Sequence, residues 1–286
     1  MKRIFLFVVT NLALMAVLST VCWVLKVDQG TVAGLVVFAL IFGMGGAFIS
    51  LLLSKKIAKW STRAKTIDGT EGETESWLVR TVEQLAQQAN IGMPEVAVYP
   101  GDPNAFATGA FKNKALVAVS TGLLGSMQRS EIRAVLGHEI GHVANGDMVT
   151  LTLLQGVLNA AVLLLARVIG VAVDRAVFGT RRGVGLGYYL TRMALQLVLG
   201  ILASMVVMAY SRRREFAADA SSARYLGSPS DMIAALQRLG SMAPGALPAS
   251  MKAFGISSKA GWSHLFSSHP PMEVRIERLR NLPPAA

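Results

Sequence analysis

Residues 138–142 read His-Glu-Ile-Gly-His, two histidines four apart with a glutamate directly after the first. On a helix, residues four apart share a face. His138 and His142 can then present imidazole nitrogens to one metal ion, with Glu139 beside them to take a proton from water. Two ligands and a general base on one turn is the H-E-x-x-H arrangement of zinc hydrolases. The plain alternative is an ordinary helix carrying incidental histidines. A hydrolytic zinc centre needs a third protein ligand and one position left for water. A third histidine six residues after the second would fall at Met148, which excludes that pattern. The chain instead offers Glu215 and Asp219, four apart in Arg-Glu-Phe-Ala-Ala-Asp-Ala (214–220). Glu215 is the expected third ligand, and Asp219 is expected to hydrogen-bond a ligand histidine from behind. The alternative for Glu215 is a surface carboxylate paired with one of Arg212–Arg214.

These residues need elements to carry them, and much of the chain is unsuited to water. Of 286 residues, 52% are hydrophobic and only 16% charged, against about a quarter charged in a soluble domain. The deficit indicates a membrane protein. Net charge is +11, and the basic residues flank apolar runs, which suits anionic lipid head groups and argues against nucleic acid. Cys22 is the single cysteine, so neither an intrachain disulfide nor a thiolate zinc cluster can form.

Residues 4–25 and 30–54 carry no charge, and each can cross a hydrocarbon core of about 30 Å as a helix. Lys2 and Arg3 precede the first run. Lys55, Lys56, Lys59, Arg63 and Lys65 follow the second, so both ends of this hairpin (1–54) are expected in the cytoplasm. A removable leader at 1–25 is disfavoured, because Val21 stands before Cys22 where a lipoprotein cleavage box has Gly or Ala. Two further runs, 148–166 and 193–211, contain Gln155, Asn159 and Gln196, and Arg167 interrupts the continuation of the first of them. They are expected to form a second hairpin (148–210) that spans the membrane, the alternative being runs that pack partly against the protein, since the connection around 174–182 is net basic, against the charge rule.

The catalytic domain is then split into 55–147 and 211–286. Helical spacing covers 73–90, and Gly92-Met93-Pro94 stops it. Residues 95–99 and 115–119 read as strands. A helix runs from Ser130, its expected cap, to Asn145, and another opens at Ser228-Pro229 and ends at Gly240. Residues 241–262 look like a surface stretch. For His142 and Glu215 to share an ion, the chain between them must cross the membrane an even number of times. The last two runs therefore behave as a pair, and the site lies at the cytoplasmic surface of the membrane, not within lipid.

Together these motifs resemble the HtpX-type membrane zinc metalloproteases of bacteria, relatives of the CAAX prenyl proteases. The resemblance covers nearly the whole chain: the paired N-terminal spans, Asn-Ala-Phe-Ala-Thr-Gly at 104–109, residues 116–124, 138–147 and 214–220, and Ser-His-Pro-Pro onward at 268–279. It implies a mainly α fold with a small β-sheet, a gluzincin-like domain attached to about four transmembrane helices. It implies one Zn²⁺ per chain held by His138, His142 and Glu215, with Glu139 as base. The implied setting is the bacterial inner membrane, catalytic domain and both termini cytoplasmic. The implied role is to cleave misfolded or damaged membrane proteins under stress. Ala217 stands where some relatives carry a histidine, and the spacing of Glu215 and Asp219 is intact.

His269 is a candidate donor to the reaction's oxyanion, or a transient ligand; a packed turn histidine is the alternative. Arg275 is expected to orient that loop, and His264 has no evident partner. Asn104, Ala105, Phe106 and Ala107 can form an edge that pairs with an extended substrate backbone, unless Phe106 simply fills core. Rival functions are processing of lipid-modified substrates and a non-catalytic zinc-binding scaffold. Oligomeric state is not legible.

Overall fold

The computed structural model describes residues 16–27, 30–181, 183–241 and 268–282. The first half of the leading apolar run, Arg182 in the basic connection, nearly all of the 241–262 stretch and His264 lie outside them. The chain divides into two units, Met1–Ser50 with Thr152–Val207, and Leu51–Leu151 with Met208–Ala286.

Among the described residues three helices are long and apolar enough to cross a membrane. They are α1 (Val32–Thr62), α5 (Asp147–Ala176) and α6 (Leu186–Leu226). About four spans are predicted; of the first, only 16–27 are described, and 16–24 are helical. Arg167 does not end its helix, because arginine is a good helix former and one charge breaks an apolar run without breaking the backbone pattern. In the first unit the carboxylate of Asp174, 1% exposed, accepts from the N–H groups of Gly185 (2.7 Å) and Tyr188 (3.0 Å). It thereby satisfies donors at the start of α6 that no helix can pair internally.

The second unit is built on a four-stranded sheet in the order β1-β2-β4-β3. Its strands are β1 (Lys65–Ile67), β2 (Glu95–Tyr99), β3 (Ala105–Thr108) and β4 (Leu116–Ser120). β2 and β4 pair in parallel, Val96 opposite Val117, while β1 and β3 are antiparallel to their neighbours. All five residues of β4 are buried. The reason is that both faces are covered, which is why this strand reads as a continuous apolar run without alternation. Val96, Val117 and Val119 join the main core, and Ala97, Tyr99, Leu116 and Ala118 pack against Ala58 and Ala64 on the other face.

Helices α2 (Glu73–Gln88), α3 (Thr121–Ser126), α4 (Arg129–Asn145), α7 (Ser230–Ser241) and α8 (Met272–Arg280) complete the unit. Ser130 is not the cap of α4. Gln128 holds that place, and its N–H donates to Glu131 Oε2 at 2.8 Å. Glu131 in turn receives Arg238 Nε at 2.8–2.9 Å, tying α4 to α7. Leu136 and Ile140, fully buried, point into the core, each such side chain contributing roughly 1.5–3 kcal/mol. On another face of α4, Gly137 and Gly141 let α6 come close. A Cβ at Gly137 would stand 3.0 Å from Ser222 Oγ, and one at Gly141 2.9 Å from Ser221 Cβ. α4 stops at Gly146, whose left-handed conformation (φ 69°, ψ 30°) favours a residue without a Cβ, and α5 starts at the next residue.

Candidate metal centre

His138 and His142 project from α4 with Nε2 atoms 3.1 Å apart and rings at right angles. Glu215 of α6 faces both: Oε1 lies 3.2 Å from His142 Nε2, and Oε2 3.5 Å from His138 Nε2. The close approach of α6 across Gly137 and Gly141 delivers this carboxylate. The three groups offer ligand atoms all within 4.8 Å of one another.

The far nitrogens are also held. His138 Nδ1 lies 2.9 Å from Asp219 Oδ1, and His142 Nδ1 2.7 Å from Asp147 Oδ2. A carboxylate only accepts, so each Nδ1 carries a proton, and whenever a ring is neutral its bare Nε2 lone pair faces the other ring. Two facing lone pairs beside a carboxylate require a proton or a cation between them. The spacings also suit one ion, since tetrahedral zinc with nitrogens at about 2.0–2.1 Å keeps its ligand atoms roughly 3.3 Å apart. Glu215 Oε2, buried, accepts no well-directed hydrogen bond among the described residues. The donor set therefore fits a divalent metal of the zinc type.

Electrostatics agree. Burial pushes His142 down, but Asp147 and Glu215 against its two nitrogens outweigh it and lift its pKa to about 10. His138 is likewise raised, burial being overcome by Asp219 and Glu215. Burial would raise Glu215, yet the neighbouring imidazoles of His269, His138 and His142 hold it well below the usual carboxylate range. The pocket favours positive charge.

Glu139 follows His138 on α4, partly exposed where its neighbours are buried. His269 comes to the site as well, its Nδ1 2.6 Å from Glu215 Oε2. Arg275 does more than steady the loop before it. At 2% exposure it grips Asp219 with Nε (2.8 Å) and Nη2 (2.6 Å), and reaches Glu215 with Nη1 (3.3 Å). Asp147 and Arg214 were not singled out from sequence. Arg214 pairs with Asp147, not with Glu215. The signal was a carboxylate directly after a helix-ending glycine, five residues from His142.

Asn104 is buried, and its N–H donates to Ser120 Oγ at 2.9 Å. Ala105, Phe106 and Ala107 lie in β3, at the sheet edge, alongside α4. The Phe106 ring tilts onto Tyr99, centroids 5.5 Å apart. Its side chain therefore belongs to the packing of the sheet.

Residues 73–283 match Peptidase family M48. The chain belongs to this family. It is a membrane metalloprotease, a hydrolase of peptide bonds, and it resembles proteins called "Protease HtpX homolog" along its whole length. The protein of that name from Bordetella pertussis is 57% identical over 289 aligned positions, covering 98% of this chain and 99% of that one. The one from Herminiimonas arsenicoxydans is 56% identical, covering 99% and 100%. Among solved structures, Saccharomyces mikatae Ste24p superposes with a TM-score of 0.66 at 19% identity. That match covers 97% of this chain and 64% of the Ste24p chain, and it speaks for the fold alone.

Proposed function

We propose that this family M48 member is a zinc endopeptidase of the bacterial inner membrane that degrades misfolded or damaged membrane proteins at the cytoplasmic face. The observation that carries the reading is the convergence of His138, His142 and Glu215 with Glu139 partly exposed beside them. The full-length likeness to HtpX homologues supports the quality-control role, and the basic residues after 54 support the cytoplasmic orientation.

His138, His142 and Glu215 hold one Zn²⁺ per chain. When bound, the ion supplies Lewis acidity, bringing the pKa of water toward about 7 and polarising the peptide carbonyl. Glu139 accepts the water's proton and passes it to the leaving amine. His269, next to Glu215, donates to the oxyanion. Asp219 keeps His138 in the tautomer that turns Nε2 toward the ion. The residues 104–107 bind substrate through the open edge of β3, where an extended backbone can add as a further strand. Such binding reads the backbone, so substrates share a state, being unfolded, and no sequence.

The test is Glu139→Gln in the purified full chain. Zinc content should stay at one per chain, while chelator-sensitive cleavage of casein falls by about 10²–10⁴. Undiminished cleavage would remove Glu139 as the base. A chain that takes up metal but never cleaves would favour the scaffold reading.

A further inference from the structure

We infer that Asp147 and Arg214 form a positioning pair for His142, an inference resting on the reading that His138, His142 and Glu215 share one metal ion. Asp147 is 3% exposed, and its two oxygens go to two side chains: Oδ2 to His142 Nδ1 at 2.7 Å, and Oδ1 to Arg214 Nε. The left-handed turn at Gly146 ends α4, and the first residue of α5 there meets the last turn of α4.

The arrangement repeats what surrounds the other histidine. His138 has Asp219 on Nδ1, and Asp219 is gripped by Arg275. His142 has Asp147 on Nδ1, and Asp147 is gripped by Arg214. Each imidazole thus has its own buried carboxylate, and each carboxylate its own arginine. The need is greater at His142. It sits in the final turn of its helix, where backbone hydrogen bonds fray, and its side chain is more exposed than that of His138, 15% against 7%. Without Asp147 the ring is free to rotate or to carry its proton on Nε2, and either change withdraws a lone pair from the ion. Arg214 keeps the carboxylate from swinging away and itself stands one residue before Glu215, so one stretch of α6 supplies a ligand and the brace for another. Loss of an outer partner of this kind typically weakens metal affinity 10–100-fold.

The experiment titrates Zn²⁺ into the metal-stripped full chain in detergent against a chromophoric chelator, well below the melting temperature. Asp147→Asn should weaken zinc binding by about 10–100-fold, because either orientation of the amide sets an NH₂ group against a donor. Arg214→Gln, which keeps Asp147 but frees it, should weaken binding severalfold. A purely structural role lowers the melting temperature of the metal-free form and leaves the affinity of folded protein unchanged. Unaltered affinity in either folded variant overturns the inference, and Arg214→Gln carries the test if Asp147→Asn does not fold. His142→Ala separates the two levels. If it binds zinc like the unaltered chain, the ligand set is wrong and the inference falls with it. If it loses zinc while the other two keep it, the positioning pair alone is refuted.

Discussion

Ser222 Oγ donates to the carbonyl oxygen of Ala134 at 2.7 Å, joining residues 88 apart in the chain. This bond fastens α6 to α4 one turn before His138, on the face kept clear by Gly137 and Gly141. The helix that carries Glu215 and Asp219 is therefore held in register with the histidines by this bond and the packing around it.

Gly141→Val tests that register. A Cβ there would already stand 2.9 Å from Ser221 Cβ and 3.3 Å from the Ala218 backbone, and overpacking of this kind costs about 1–3 kcal/mol. The variant should fold with a lower melting temperature and bind less zinc, because Glu215 is pushed outward. Melting and metal content are read on one preparation; normal zinc would show that the close approach is not needed.

Glu215→Ala should leave substoichiometric zinc at equal protein. Unchanged metal content would place the third ligand elsewhere.

Zinc binding should expel a proton. In the metal-free protein the pKa of His142 is raised to about 10, so its ring is protonated near neutrality, and ligation needs it neutral. The sign follows: this raised pKa stabilises the metal-free fold fully below the ordinary imidazole range, and that stability is lost as pH rises through about 10. Apparent zinc affinity should then rise up to about tenfold per pH unit below that value. Calorimetry in two buffers of different ionisation enthalpy measures the release, and buffer-independent heats would contradict it.

Arg275→Met should destabilise the metal-free protein by about 3–5 kcal/mol near neutrality, since it strands buried carboxylates. Burial raises Asp219, but Arg275 and His138 outweigh it and hold its pKa down. That stability is present above the ordinary Asp range and lost as pH falls through the lowered value. The gap in melting temperature between the variant and the unaltered chain should narrow in acid. A gap independent of pH would deny the coupling.

What was legible in sequence and what was not divide along a physical line. Spacing within one helix is local, so His138, Glu139 and His142, and separately Glu215 and Asp219, stood out by type and interval. Strands β2 and β4 showed as β-branched runs because both faces are covered. β1 did not, since Lys-Thr-Ile has no alternation to read, and its pairing with Val96–Val98 makes it a strand. Ser130 looked like a cap by residue type, yet Glu131 bonds back to Gln128 and sets the boundary two residues earlier. Arg275 and Arg214 were ordinary cations until folding set them against acids 56 and 67 residues away. No local pattern encodes such partners.

The position of β3 at the margin of the sheet has one more implication. Among the described residues β3 has a partner strand on one side only, and under the proposed binding mode its outer row of donors and acceptors would be met only by a chain whose own are not already engaged. A native domain has spent its backbone on itself and offers nothing to that row, whatever side chains it displays. On the proposed binding mode, discrimination between sound and damaged protein would need no recognition element beyond an uncompleted ladder: intactness itself would be the exclusion.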